Sequence, residues 1–357
     1  MDRPTVRIYE ERGGEWAARR RPVRREDALA FGSRVPTGAV RADLGCGAGR
    51  YSGELGLPLV GIDAARTMLE LATAATPGAW FLQADLEALP LRRDSLAAAW
   101  SNMAYLHVPR ARVPLALAQL HAAMSVGGAL DLQVIVGDYE GKNLPSDDVG
   151  GRFFAAWQPD ALADVLVGAG FEVEAVEVPA DQTDVVRARA VRARTLPDTV
   201  GPNMRLLVCG LNPSLFAADR GVGYARPGNR FWPAALAAGL VSRSHDPVHA
   251  LGAHGMGMTD LVKRATARAD ELSAEEYRVG AARVERLVRW LQPEAVCFVG
   301  LTGWRAAVDR GAVPGWQPSP FAGRPAYVMP STSGLNAHTS AGELARHLAI
   351  AGGGNAE

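Results

Sequence analysis

Apolar residues along the first half of the chain fall in short blocks: AVRADLG at 39–45, LPLVGID at 57–63, AWFLQAD at 79–85, SLAAAWSNM at 95–103 and GALDLQVIVG at 128–137. Blocks of this length, bounded by Gly, Pro and Asp, predict strands. RARVPLALAQLHAAM precedes the last of them and ends before Gly127 and Gly128, the pattern of a helix with a glycine stop. FFAAWQPDALADVLVGAG and then FEVEAVEV add a helix and a strand, and DVVRARAVRA at 184–193 predicts a final strand. Strands alternating with helices at this spacing imply an α/β fold, a mostly parallel sheet with helices on both faces. RTLPDTVGPN at 194–203 has two prolines, a glycine and no apolar period, and is expected to be a linker.

A second alternating series follows. RLLVCGL from 205 predicts a strand, FWPAALAAGL a helix, and EAVCFVGL at 294–301 a buried strand, followed by a short helix in TGWRAAVDRG. In SAEEYRVGAARVERLVRWLQ at 273–292, Val284, Leu287, Val288 and Leu291 share one helical face, and Ser273 with Glu276 forms a capping box. RPAYVMPSTSGLN reads as a strand running into a polar loop, and SAGELARHLAIAG as a closing helix capped by Ser340 and Glu343. The expected organisation is two three-layer α/β/α domains, residues 1–193 with a basic N-terminal arm and residues 204–357, joined by 194–203.

The 357 residues suit two cores rather than one. Cys46, Cys209 and Cys297 are far apart with no CxxC pair, which excludes a four-thiolate zinc or iron–sulfur site and fits a reducing compartment; no metal is expected. The N-terminal stretch is charged, unlike a signal peptide, and no run approaches the ~20 apolar residues of a membrane span. A cytoplasmic protein is therefore expected. Net charge is zero, but residues 203–357 hold 16 Arg/Lys against 12 Asp/Glu, so the second part is the better candidate for a polyanion partner. The run RRRPVRR at 19–25 either touches nucleic acid or is a solvated arm.

Candidate chemistry begins at ADLGCGAGR, which puts Asp43, Gly45, Gly47 and Gly49 at the end of the first strand. Glycines let backbone turn sharply and approach a ligand. Asp63 ends the second strand, where a carboxylate can accept from both hydroxyls of a ribose; Asp85 ends the third. The pattern resembles the class I S-adenosylmethionine-dependent methyltransferases over about residues 35–193. By that resemblance Asp43 and the glycines hold the methionine part, Asp63 the ribose, and Asp85 with Leu86 the adenine, and the fold is Rossmann-like. A nicotinamide enzyme is the competing reading, though its loop usually opens on glycine rather than Asp-Leu-Gly. Asn102, after the fourth strand, is either a cofactor-site or acceptor contact or a satisfied turn residue. The sequence names no methyl acceptor, and a domain that binds cofactor without catalysis stays open.

The second strand–glycine turn, RLLVCGLNPSLF, is built differently. Pro213 fixes its own φ and biases Asn212 away from helix, giving a stiff turn that holds an amide at a strand's end. An amide has no useful pKa; it positions a nucleophile. GLNPS, then GNRFW, GMTDLV and MPSTSGLN in order resemble the mismatch-specific uracil/thymine-DNA glycosylases over about residues 203–350. Ser214 and Tyr224 depart from the family, which usually has glycine and phenylalanine there.

The resemblance implies a uracil-DNA glycosylase-like sheet and base flipping from double-stranded DNA with G:U or G:T mismatches, with thymine or etheno-cytosine as further substrates. Asn212 would orient the water. Gly210, Leu211, Pro213 and Ser214 would line the base pocket, and Tyr224 would stack on the base or else be a core aromatic. Leu335 would be the wedge unless it packs inward, with Asn336 on the orphaned guanine. Ser331, Ser333, Gly334 and Arg226 are candidate DNA contacts. Arg230 is either a phosphate ligand or buried and paired. No carboxylate base stands in GLNPS, so slow turnover is expected; no amine nucleophile is apparent, so no lyase step is expected, and no cofactor for this domain. The expected protein is a monomer associated with the bacterial nucleoid. The alternative is a methyltransferase carrying a mismatch-binding module that does not cleave.

Overall fold

The structure, a computed structural model, describes residues 1–353; the last four positions of the expected second domain, 354–357, lie outside it. The chain divides into two compact units at Ala193/Arg194.

The first unit opens with two helices, α1 (Arg3–Arg19) and α2 (Arg25–Arg34). Asp2 caps α1 by accepting from Thr5 N at 3.0 Å, and a proline sits in its first turn, where the missing N–H costs nothing. The basic stretch 19–25 is therefore not a free arm. Arg24 is buried, pairs with Asp131 (2.9 Å) and Asp27 (3.0 Å), and lies 4.3 Å from the centre of the Trp100 ring, while Arg20 pairs with Asp148. A composition of charge alone hides this, because Arg20, Arg24 and Arg25 find carboxylates far along the chain, Asp148, Asp131 and Glu54.

Then come β1 (Arg41–Leu44), α3 (Ser52–Leu55), β2 (Leu59–Asp63), α4 (Arg66–Ala75), β3 (Trp80–Gln83), β4 (Leu96–Asn102), α5 (Val113–Ala123) and β5 (Met124–Ile135). A small pair, β6 (Glu140–Gly141) with β7 (Phe154–Ala155), precedes α6 (Pro159–Gly168), β8 (Phe171–Glu177) and β9 (Val185–Arg192). The seven-stranded sheet has the order β3-β2-β1-β4-β5-β9-β8. Strands β1 to β5 pair in parallel, and β9 and β8 complete the sheet antiparallel. β1 is buried at every position, as a central strand covered on both faces must be.

The second unit contains β10 (Leu206–Gly210), α7 (Leu215–Arg220), α8 (Phe231–Ala237), α9 (Pro247–His254), β11 (Met256–Asp260), α10 (Ala274–Leu291), β12 (Ala295–Val299), α11 (Leu301–Ala307), β13 (Gly315–Trp316), β14 (Ala326–Met329) and α12 (Ala341–Ala351). Its sheet runs β11-β10-β12-β14-β13, parallel except for the edge strand β13. β10, β12 and β14 are wholly buried. α10 carries the expected apolar face and capping box.

The segment 194–203, expected as a linker, is an integral part of this unit. Thr199 and Met258 exchange two backbone hydrogen bonds at 2.8 Å, Val200 is buried, and Asp198 is buried among side chains of β11 and α10. Buried polar residues, Thr195, Asp198 and Thr199, interrupt its apolar pattern.

Gly280 on α10 lets that helix lie against the backbone after β11: a Cβ there would stand 2.0 Å from the Leu261 carbonyl oxygen. Alanine favours a helix over glycine by about 1 kcal/mol, but a backbone clash of this size costs more. Gly280→Ala is expected to destabilise the second unit by roughly 2 kcal/mol, read from its denaturant midpoint; an unchanged or raised midpoint would overturn this packing account.

Candidate active sites at two strand-end edges

In the first unit the loop after β1 is shaped by three glycines at positive φ, Gly45 (66°), Gly47 (53°) and Gly49 (74°). A Cβ on Gly45 would lie 2.2 Å from that of Ala104, and one on Gly49 would lie 3.0 Å from Ala72, so only hydrogen fits. Asp63 ties this loop to β2. Its Oδ2 accepts from Gly47 N and its Oδ1 from Ala65 N, both at 2.9 Å. Each oxygen keeps a further lone pair, the arrangement a diol needs. Burial raises the pKa of Asp63 despite these amides.

Asp43 is buried and accepts from Ser52 Oγ at 2.8 Å; burial pushes its pKa up to about 7. It braces the loop from within. Asp85 accepts from the Met1 ammonium at 2.6 and 2.7 Å and from Glu87 N at 3.0 Å, so it is seen holding N–H donors. Leu86 is buried in the core. Asn102 ends β4, its Oδ1 3.5 Å from Arg24 Nη1. Sequence reasoning missed α1 here. Its Trp16 ring lies 3.7 Å from where a Cβ on Gly47 would stand, the Arg50 guanidinium is 4.9 Å from that ring's centre, and the indole N–H is buried without a partner among the described residues. An orphaned donor and a cation beside a glycine loop fit a carboxylate. With Asp63 they make the residues present fit an amino-acid nucleoside.

In the second unit the turn after β10 presents Asn212. Its Nδ2 donates to Thr266 Oγ1 at 2.8 Å, to the Arg264 carbonyl at 3.0 Å and to the Pro213 carbonyl at 3.2 Å. With the amide nitrogen engaged, Oδ1 has no hydrogen bond among the described residues and is left as an acceptor. Leu211 and Pro213 hold the same neighbour through their carbonyls, which accept from Val262 N (2.9 Å) and Thr266 N (3.1 Å). Ser214 is the cap of α7, accepting from Ala217 N at 3.2 Å, which gives the departure from glycine a local reason.

Sequence reasoning also missed Asp260. No carboxylate stands in the turn itself, but the parallel register puts Asp260 of β11 directly beside Gly210 of β10. A Cβ on Gly210 would lie 2.5 Å from Asp260 Oδ1 and 2.9 Å from the Tyr224 hydroxyl. Asp260 is only partly covered, yet its surroundings are apolar enough to push its pKa up to about 6, chiefly by desolvation. The register was the missing signal: an acid closing the GMTD strand falls level with the GLN turn once the two strands are paired. Tyr224 sits at φ 59°, stacks on Phe231 at 4.1 Å between ring centres, and has a buried hydroxyl with no partner among the described residues. That hydroxyl and Asp260 converge beneath Gly210.

The loop after β14 is braced from below. Arg230 donates to the carbonyls of Thr339 (2.5 Å), Asn336 (2.6 Å) and Ser333 (3.2 Å), so it is paired within the protein and does not reach for phosphate. Asn336 is likewise turned inward: Nδ2 donates to Ser331 O and Thr339 Oγ1, and Oδ1 accepts from His338 N, which takes its side chain away from an orphaned base. Ser331 and Ser333 each accept from the backbone two residues on. A Cβ on Gly334 would lie 2.9 Å from the Gly228 carbonyl oxygen. Leu335, by contrast, is 90% exposed, the most exposed of the chain's large apolar side chains. Arg226 is exposed and forms no ion pair among the described residues. No group of histidine, cysteine or acidic side chains among the described residues is arranged to hold a metal, and no helix there is long and apolar enough to cross a membrane.

Residues 197–350 match the Uracil DNA glycosylase superfamily, and residues 42–131 match a Methyltransferase domain. Solved structures similar to part of the chain include an S-adenosylmethionine dependent methyltransferase from Mesorhizobium loti, 23% identical over 46% of this chain and 96% of its own, with a TM-score of 0.40. A TehB-like SAM-dependent methyltransferase from Corynebacterium glutamicum is 20% identical over 52% of this chain and 97% of its own, with a TM-score of 0.40.

Arg230→Ala removes three charge-assisted bonds from the 333–339 loop. Amide exchange there is expected to speed up by about tenfold or more, since one such bond contributes ~1.5 kcal/mol or above. Exchange at the wild-type rate would mean that the loop holds itself.

Proposed function

We propose that this chain, in which a uracil DNA glycosylase superfamily domain follows a methyltransferase domain, is a base-excision enzyme that hydrolyses the N-glycosidic bond of uracil opposite guanine in duplex DNA. The observation that carries this reading is that one strand end brings the Asp260 carboxylate and the Tyr224 hydroxyl, which has no partner among the described residues, together at Gly210, two residues before Asn212 with its amide anchored through the nitrogen. Leu335 stands exposed on a braced loop of the same unit.

In this mechanism a flipped uracil rests on the Tyr224–Phe231 stack, while Leu335 fills the space it left. The cost of flipping is a few kcal/mol and is least at a mismatch. Asn212 Oδ1 accepts one hydrogen of a water and directs its oxygen at the sugar carbon. The bond from that carbon to the base nitrogen breaks, and its electron pair leaves with the uracil anion. Water oxygen bonds to the carbon, its proton passes to Asp260, and the uracil anion takes a proton from solvent. A carboxylate here also opposes the positive charge that develops on the sugar. Lys263, the lysine of this region, is bound to Asp198 at 2.9 Å, which favours hydrolysis without an amine-linked strand break. Thymine and etheno-cytosine opposite guanine are further candidates for the same pocket.

The first domain would hold S-adenosylmethionine. Asp63 would take the ribose hydroxyls, Asp85 the adenine amine, and the glycine loop with Trp16 Nε1 and Arg50 the amino-acid end. Bound there, the cofactor supplies an electrophilic methyl group.

In single turnover on a G:U duplex, wild type is expected to leave an abasic site and Asn212→Ala to be at least about 100-fold slower; equal rates would remove Asn212 from the chemistry. Tight binding without release, even at excess enzyme, would instead favour a recognition module. The wild-type rate should fall as pH drops through about 6, as Asp260 takes up a proton, and Asp260→Asn should lose both that limb and most of the rate. Calorimetry with S-adenosylmethionine should give binding in wild type and at least tenfold weaker binding in Asp63→Ala; equal affinity would overturn the ribose assignment.

A further inference from the structure

Three charged side chains, Asp198, Lys263 and Arg283, meet beside the strand end that carries Asp260. Asp198 accepts from Arg283 Nη1 and Thr259 Oγ1 at 2.7 Å and from Lys263 Nζ at 2.9 Å. Arg283 Nη2 also donates to the Asp260 carbonyl at 2.8 Å and to Thr259 Oγ1 at 3.0 Å. The side chains of Asp198, Lys263 and Arg283 are all nearly covered, at 3%, 10% and 7% exposure. The segment they grip, 259–266, carries Asp260 and both outer anchors of Asn212, the Arg264 carbonyl and the Thr266 hydroxyl. It is knitted to the turn by Leu261 N on the Gly210 carbonyl at 2.8 Å.

The charges sum to zero only if both acids are ionised: two cations against Asp198 and Asp260. Asp198 takes direct hydrogen bonds from both cations, and their charges hold its pKa down against burial. Among the described residues no hydrogen bond joins either cation to the Asp260 carboxylate, which feels them only at longer range and is also repelled by Asp198. The other titratable groups facing Asp260 are Cys209 on β10 and Tyr224 before α8; burial raises both well above their usual pKa, so they stay neutral near pH 7. Asp198 is therefore the nearby anion that decides how much of the Lys263 and Arg283 charge is left for Asp260.

We propose that Asp198 is a positioning residue of the glycosylase site: through Thr259, Lys263 and Arg283 it fixes the segment that carries Asp260 and the anchors of Asn212, and it sets the net charge that Asp260 meets. This rests on the reading of Asp260 as the site's carboxylate. A buried ion cluster removed in part leaves an uncompensated charge, which is why the substitutions below act on a neighbour they do not touch.

The test uses the full-length chain labelled with 13C aspartate, the Asp260 carboxyl resonance being assigned by its loss in Asp260→Asn. Asp198→Asn leaves two cations facing one acid, and the Asp260 titration is expected to move down by about one pH unit or more. Lys263→Gln leaves one cation facing two acids and should move it up. Asp198→Asn with Lys263→Gln restores neutrality and should return it close to wild type. The acidic limb of uracil release should follow in each case. If Asp198→Asn does not fold, the upward move in Lys263→Gln still decides. A titration unmoved in the folded single variants overturns the proposal, whatever the activity. Shifted titrations in a protein that releases no base from G:U, G:T or etheno-cytosine duplexes would keep the coupling and sink the glycosylase reading instead.

Discussion

The parallel pairing of β10 with β11 is the constraint on which the second site depends. It sets Gly210 level with Asp260, and the chain beyond each strand continues the match through backbone bonds from Leu261 and Val262 to Gly210 and Leu211. Two loops that each carry part of a site are thereby locked into one. Parallel strands put their C-terminal ends on the same edge, where side chains converge without needing to be near in sequence. The proposed chemistry, an amide oxygen from one strand end and a carboxylate from the next, is a product of that register. Gly210 is required because any side chain would fill the meeting point of Asp260 and Tyr224.

The first unit applies the same geometry to a different ligand type. Its loop presents backbone rather than one aimed side chain, and its carboxylate, Asp63, clasps the loop from the neighbouring strand. β1 and β2 pair in parallel so that Asp63 stands beside the end of β1. Both edges therefore set a glycine turn against an acid from the adjacent strand. In the first the acid supports the turn; in the second its carboxylate takes no hydrogen bond among the described residues and is available for a proton.

Much of this was legible along the chain. Strand blocks, the α10 face and its cap, the two-unit organisation and both turns follow from local patterns that folding did not override. Other features depended on pairings between distant residues. Asp260 became a site residue only through strand register. Arg230 and Asn336, polar and beside a loop, were plausible DNA contacts until the loop's own carbonyls and hydroxyls were seen to satisfy them. Arg24 stood in a basic run that looked solvated, yet its partner Asp131 lies on β5. The 194–203 segment had no apolar period because it is held by backbone pairing and a buried acid. Composition sees none of these, since each is a matter of which partner a polar group finds.

The braced loop under Leu335 has a consequence for the time a search along DNA would take. Arg230 and Asn336 hold this loop in the folded protein, so much of its backbone freedom, of order 1–2 kcal/mol per residue, is given up before any duplex arrives. For the proposed wedge, an encounter with a stacked base pair then needs no loop rearrangement, and its outcome is set by how readily that pair yields. A probe of this kind samples the mechanical softness of the duplex at every stop. Mismatches, which unstack more easily, would be picked out by their compliance before any base edge is read.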